Sequence, residues 1–227
     1  MTERVTRRPR RGWRALRAPA ERHGRLLVCA LLGASVSACM PWVVGETAET
    51  LPRGRVATGA GLATLAPPDH PLKVLPVPQV WARLGVSSRT DLGLVYAAPA
   101  SFALQAKVRA ASPAGIPLAA LAGAGLHIIP DVLGEDVAVT TPFALLGVVA
   151  SAPARERRAT WYGALRGFFP AHLGDDFAIT LWLVGSAGAA WTRGSWQLGP
   201  ELGVVMPTTD PEGSLVLGSF SVRRRIR

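Results

Sequence analysis

The chain has 227 residues and a formal net charge of +10, which suits one sizeable domain and is short for two. Nine arginines against Glu3 and Glu21 fall within residues 1–38, leaving sixteen basic and thirteen acidic residues in the remainder. The basicity therefore belongs to the leader and gives no ground for a nucleic-acid partner, and because the two cysteines are Cys29 and Cys39, the body excludes a disulfide framework or a cysteine metal site.

Residues Leu26 to Ala38 form an apolar run too short to span a bilayer as a helix, which takes about 20 residues. A basic n-region, a short apolar core and small residues before a cut are the pattern of a secretory signal. Val36-Ser37-Ala38-Cys39 resembles the lipobox of bacterial lipoproteins. That resemblance implies cleavage after residue 38, acylation (for example by palmitate) of Cys39, and handling by the lipoprotein-sorting machinery. Met40 stands where inner-membrane-retained lipoproteins commonly carry Asp, which points to the outer membrane. Residues 39–54 then read as a lipidated tether, since Pro41 to Arg53 has no sustained period.

From Arg55 the chain alternates with a period of two, the mark of strands with two different faces. Val56, Thr58, Ala60, Leu62 and Thr64 share one face, and the small residues Ala57, Gly59, Gly61 and Ala63 the other. A break at Pro67–Pro71 precedes Val80, Ala82, Leu84 and Val86 on one face; Ser87–Asp91 turns the chain into Leu92–Tyr96 as a hairpin. Phe102, Leu104, Ala106, Val108 and Ala110 oppose Ala103, Gln105, Lys107 and Arg109, a spacing no helix produces. Pro117 to Ile129 reads as a strand because Gly123 and Gly125 would each cost a helix about 1 kcal/mol. Val137 to Ala150 is a further strand, in which Pro142 requires an unpaired or bulged position. Thr160 to Pro170 follows. Then comes a segment with Phe177, Ile179, Leu181 and Leu183 on one face. Gly185–Gly188 is predicted to turn the chain into Trp191–Val205, and Thr208–Gly213 into a last strand, Leu215–Arg227.

About ten such segments separated by turns match the signature of a transmembrane β-barrel. The expected fold is all-β, an antiparallel up-and-down barrel over residues 55–227, with short turns at one end and mostly longer loops at the other. This body resembles the small outer-membrane β-barrel proteins of Gram-negative bacteria, and Ala82 to Leu94 looks like one of their hairpins. The resemblance implies an outer-membrane location, contact of the barrel exterior with lipid, and delivery by the barrel-assembly machinery. Those proteins often close with an aromatic residue, whereas here the final stretch is Arg223 to Arg227, with Phe220 the nearest aromatic.

With the apolar faces outward, Arg83, Gln105, Lys107, Arg109, Tyr162, Arg166, Gln197 and Glu201 are the expected lumen-lining set. They either define a narrow cationic lumen or pair with one another and fill it, as small barrels do. Tryptophans 42, 81, 161, 182, 191 and 196 suit either interfacial girdles or a core. His70, His127 and His172 lack ligand partners at metal spacing, and no hydrolase elbow, P-loop or zinc-protease motif occurs. The expectation is therefore a non-enzymatic, lipid-anchored outer-membrane barrel without a cofactor, structural or pore-like. Its rival is a periplasm-facing soluble lipocalin-like barrel binding an apolar ligand or a partner protein. The two differ in whether Phe102, Leu104, Val108, Ile179, Leu181 and Leu183 lie outside or inside.

Overall fold

The computed structural model describes residues 45–69, 74–98, 101–110, 112, 115–129, 139–152, 159–172, 178–209 and 211–226. The leader, Cys39 and Trp42 lie outside these. The strands are β1 (Val56–Ala66), β2 (Leu75–Gly85), β3 (Thr90–Ala97), β4 (Ser101–Arg109), β5 (Leu118–Ile129) and β6 (Val139–Ser151). They continue as β7 (Ala159–His172), the two-residue β8 (Ala178–Ile179), β9 (Trp182–Arg193), β10 (Trp196–Pro207) and β11 (Leu215–Ile226). β1 to β7 pair antiparallel in sequence order, β8 pairs only with β7, β7 pairs with β9, β9 with β10 and β10 with β11, and β11 returns to β1. Ten strands thus close an up-and-down barrel, so that none of the ten is left as a free sheet edge.

Each strand sorts its residues by parity, because successive side chains point to opposite sides of the wall. On β2 the odd residues Val77, Gln79, Trp81 and Arg83 are buried inside while the even ones are exposed. On β4 Ser101, Ala103, Gln105 and Lys107 point in, and Phe102, Leu104 and Val108 point out, Leu104 at 68% exposure. Ile179 is also exposed, and Leu181 and Leu183 are half-buried. None of the residues that the soluble reading needs as a core fills the interior.

The end bearing the β2–β3, β4–β5, β6–β7 and β9–β10 turns is called here the lower end. Near the upper end the interior is apolar. Leu65, Val77, Trp81, Val95, Phe143, Leu145, Phe168, Val184, Val205 and Leu217 form one buried cluster, with the Phe143 and Phe168 rings 4.9 Å apart. Prolines sit where the ladder permits: Pro142 pairs with Leu126 of β5, while the β6–β7 ladder begins one residue later at Phe143.

One predicted turn is misplaced. Gly185–Gly188 lies within β9, and the chain reverses instead at Gly194, whose φ of +62° suits a residue without a Cβ. Within that strand Gly188 is held to glycine by packing, since a Cβ there would overlap the Tyr162 hydroxyl and the Pro200 carbonyl oxygen; at Gly185 a Cβ meets nothing within 4 Å. Gly188→Ala is therefore expected to cost about 1–3 kcal/mol through overpacking, and Gly185→Ala close to nothing. Urea midpoints in detergent micelles measure both, and equal midpoints would contradict this reading of Gly188.

Candidate functional site: the barrel interior

The lower half of the interior is polar and charged. Among the described residues the wall contributes four buried cations, Arg83, Lys107, Arg166 and Arg223, against two carboxylates, Asp91 and Glu201. A buried charge without a partner costs several kcal/mol, so this wall needs further acceptors, and the chain's own N-terminal segment brings one. From Gly45 to Leu51 the stretch read from sequence as tether is packed inside the barrel, with Glu46, Thr47 and Ala48 buried at 2% exposure or less. Its sequence has no period because its conformation is imposed by the surrounding wall, not by a repeating two-faced contact.

Glu46 supplies the missing carboxylate. Its Oε2 accepts from the Arg83 guanidinium at 2.8 Å and its Oε1 lies 3.0 Å from the Lys107 Nζ. Asp91, at the start of β3, meets the same two cations, with Oδ1 2.7 Å from Arg83 and Oδ2 3.5 Å from Lys107. Arg83 also donates to the Gln105 side-chain oxygen at 3.1 Å, and Lys107 to the Thr47 carbonyl at 3.3 Å. The four charges alternate in sign around one point, where burial makes each attraction stronger than it would be in water.

A second centre lies around Glu201 on β10. Its Oε1 receives the Arg166 guanidinium at 2.9 Å and the Ser186 hydroxyl, and its Oε2 receives the Tyr162 hydroxyl at 3.2 Å and the Gly45 amide at 2.7 Å. The inserted segment docks through its backbone at regular intervals. The amides of Gly45, Ala48 and Leu51 donate to Glu201, Ser151 and Asp91, on β10, β6 and β3. Ala48 meanwhile packs into a small apolar cluster with Leu121, Val149, Tyr162 and Ala190.

Seven of the eight sequence-selected residues, Arg83, Gln105, Lys107, Tyr162, Arg166, Gln197 and Glu201, are buried on the inner side. The eighth, Arg109, is exposed at the lower end of β4, where the alternation that placed it inside runs out with the strand. Sequence reasoning passed over Asp91, Ser151, Ser186, Arg223 and above all Glu46. Asp91 was within reach: it has the inward parity of Gly93 and Val95 on β3 but reads as a turn residue. Glu46 carries no such signal.

Higher in the interior Ser101 Oγ hydrogen-bonds His127 Nδ1, and the imidazole packs on Phe143 with centroids 4.8 Å apart. Both side chains are buried, with His127 at 2% exposure, and among the described residues no carboxylate joins them, so the pair is built as a packed polar bridge. Among the described residues no group of His, Cys, Asp and Glu side chains is placed to hold a metal ion. The tryptophans divide between the two environments: Trp81 and Trp182 belong to the interior cluster, while Trp161, Trp191 and Trp196 are exposed on the exterior.

No family model matches the sequence, and no curated protein matches it. Among solved structures, the N-terminal β-barrel domain of Pseudomonas aeruginosa OprF is 9% identical, with 78% of this chain and 100% of that one covered and a TM-score of 0.37. Neisserial surface protein A is 10% identical over 76% and 96% of the two chains, TM-score 0.35. The translocator domain of autotransporter NalP from Neisseria meningitidis is 14% identical over 92% and 96%, TM-score 0.41. Likenesses this distant assign neither a family nor an activity to the chain.

Proposed function

We propose that this chain is an outer-membrane β-barrel protein, tethered in addition by an acyl group on Cys39, with a structural, non-enzymatic role and an interior closed to solutes. The observation that carries the reading is the inversion of the usual globular arrangement. Apolar side chains such as Leu94, Leu104, Leu146, Leu165 and Leu202 point outward from all sides of the barrel, while ion pairs lie within. Water would not stabilise so large an apolar exterior, and lipid does. The filled interior supports the structural over the pore-like alternative, because the inserted segment and the upper aromatic cluster occupy the space a channel needs. The anchor, and with it the lipoprotein-sorting and barrel-assembly machineries as partners, rests on the lipobox-like Val36–Cys39.

The test is fractionation of cells expressing the chain. The protein is expected in outer membranes, resistant to carbonate, and shifted in gel mobility only after heating; release by carbonate would sink the integral-barrel reading. Cys39→Ala is expected to abolish metabolic labelling with a fatty acid without releasing the barrel, and persistent labelling would refute the anchor.

A further inference from the structure

The exterior tryptophans do not encircle the barrel. Trp161, Trp191 and Trp196 stand on neighbouring strands β7, β9 and β10, all near the lower end. Above them the outward residues are small: Ala150 pairs with Gly163 and Gly163 with Ala187, a row that ends at Leu202. The result is a groove of about 850 Å³ whose lining includes Trp161, Trp191 and Leu202. Here β9 and β10 also part: pairing is continuous on both sides of Gly199 and Pro200 but absent at those two residues, where proline has no N–H to give. Below the groove Trp196 pairs with Arg193 on one side and Arg224 on the other. The Arg224 guanidinium lies 5.4 Å from the centre of the Trp196 ring. Arg193 and Arg224 are both exposed. Among the described residues neither pairs with a carboxylate; Glu49, the one exposed acidic partner of a rim arginine, engages Arg225.

We infer that this face is a binding site for one anionic phospholipid. Its phosphodiester sits between Arg193 and Arg224, its glycerol region at the level of Trp196 and Trp191, and an acyl chain in the groove over Gly163 and Ala187. This rests on the membrane-embedded reading proposed above. Two guanidinium forks suit a phosphate, which accepts paired N–H donors, and indoles favour the headgroup level. A zwitterionic lipid brings a cation of its own toward the arginines and gains less. A second copy of the chain fits worse, since a two-fold interface on this face sets the arginines of both copies against each other.

The experiment uses the full chain in phosphatidylcholine vesicles, titrated with acyl-brominated phosphatidylglycerol or, separately, acyl-brominated phosphatidylcholine, while tryptophan fluorescence is read. Trp161, Trp191 and Trp196 lie at the site and report bromine directly. At about a fivefold gain per arginine near a membrane surface, the two lipids should differ in relative association by about 25-fold. The Arg193→Gln, Arg224→Gln double variant should bring them close to parity. Gly163→Leu should weaken quenching by both, since a side chain there fills the groove and its Cβ meets only the Ser186 carbonyl at 3.8 Å. Arg109→Gln, exposed at the end of β4, should change nothing. Equal association of the two lipids with the native chain, an equal loss in Arg109→Gln, or a cross-linked dimer through Trp191 would overturn the site. Failure of the chain to stay in carbonate-washed vesicles would overturn the membrane reading itself, and is distinguishable because no brominated lipid then quenches.

Discussion

Replacing Glu46 with glutamine is expected to destabilise the barrel by about 3 kcal/mol, at the lower end of the cost of leaving a buried charge uncompensated. The carboxylate lies 2.8 Å from Arg83 and 3.0 Å from Lys107, both essentially inaccessible to solvent. Without it Asp91 alone faces two cations. Urea unfolding in micelles or vesicles gives the number. Two further variants decide its cause. Lys107→Met added to Glu46→Gln should recover part of the loss, because the surplus cation goes with it; an additive second loss would show that the lysine does not answer to Glu46. Glu49→Gln removes an exposed pair, 3.2 Å from Arg225, and should cost less than about 1 kcal/mol. A large effect at Glu49 and a small one at Glu46 would mean that residues 45–51 are not held inside the barrel.

The second large effect is expected on the other side of the wall. Leu104 lies in the middle of β4 and is 68% exposed. If that exposure is to hydrocarbon, Leu104→Arg costs about 2–4 kcal/mol, the range for a cation near the bilayer midplane on a barrel exterior. If it is to water, the same substitution is close to neutral or improves solubility. The urea midpoint in vesicles therefore separates the alternatives by an amount well above experimental scatter. Lys107→Met, three residues along and inside, should destabilise whatever surrounds the barrel, because it leaves Glu46 and Asp91 to share Arg83 alone.

The fold was largely legible because the barrel obeys one local rule. Along β2 and β4 every second residue is buried, and the polar set Arg83, Gln105 and Lys107 follows directly from that parity. The rule misleads where a strand ends, as at Arg109, and where a residue has two uses. Gly185 and Gly188 look like a turn but are strand positions, one facing outward into open space and the other giving way to Tyr162 and Pro200. The inserted segment was not legible at all. Its partners, Glu201, Ser151 and Asp91, lie 156, 103 and 40 residues away in the chain, and no local pattern encodes contacts at such range. The one hint is arithmetic: the inward wall residues carry more cations than carboxylates, so an interior charge had to come from elsewhere. The uneven placement of the exterior tryptophans was equally hidden, because it depends on which strands become neighbours after closure.

In the membrane-embedded reading, the apolar side of the wall faces lipid and the charged side faces the chain's own N-terminal segment. Nitroxide side chains placed singly at residues 101–108 of β4, in the full chain with Cys29 and Cys39 changed to serine, test it in vesicles. Collision with oxygen, which concentrates in hydrocarbon, should peak at 102, 104, 106 and 108, with collision with a water-soluble nickel chelate low at the same sites. High nickel accessibility at 102 and 104, or the absence of a two-residue period, would contradict a lipid-facing exterior.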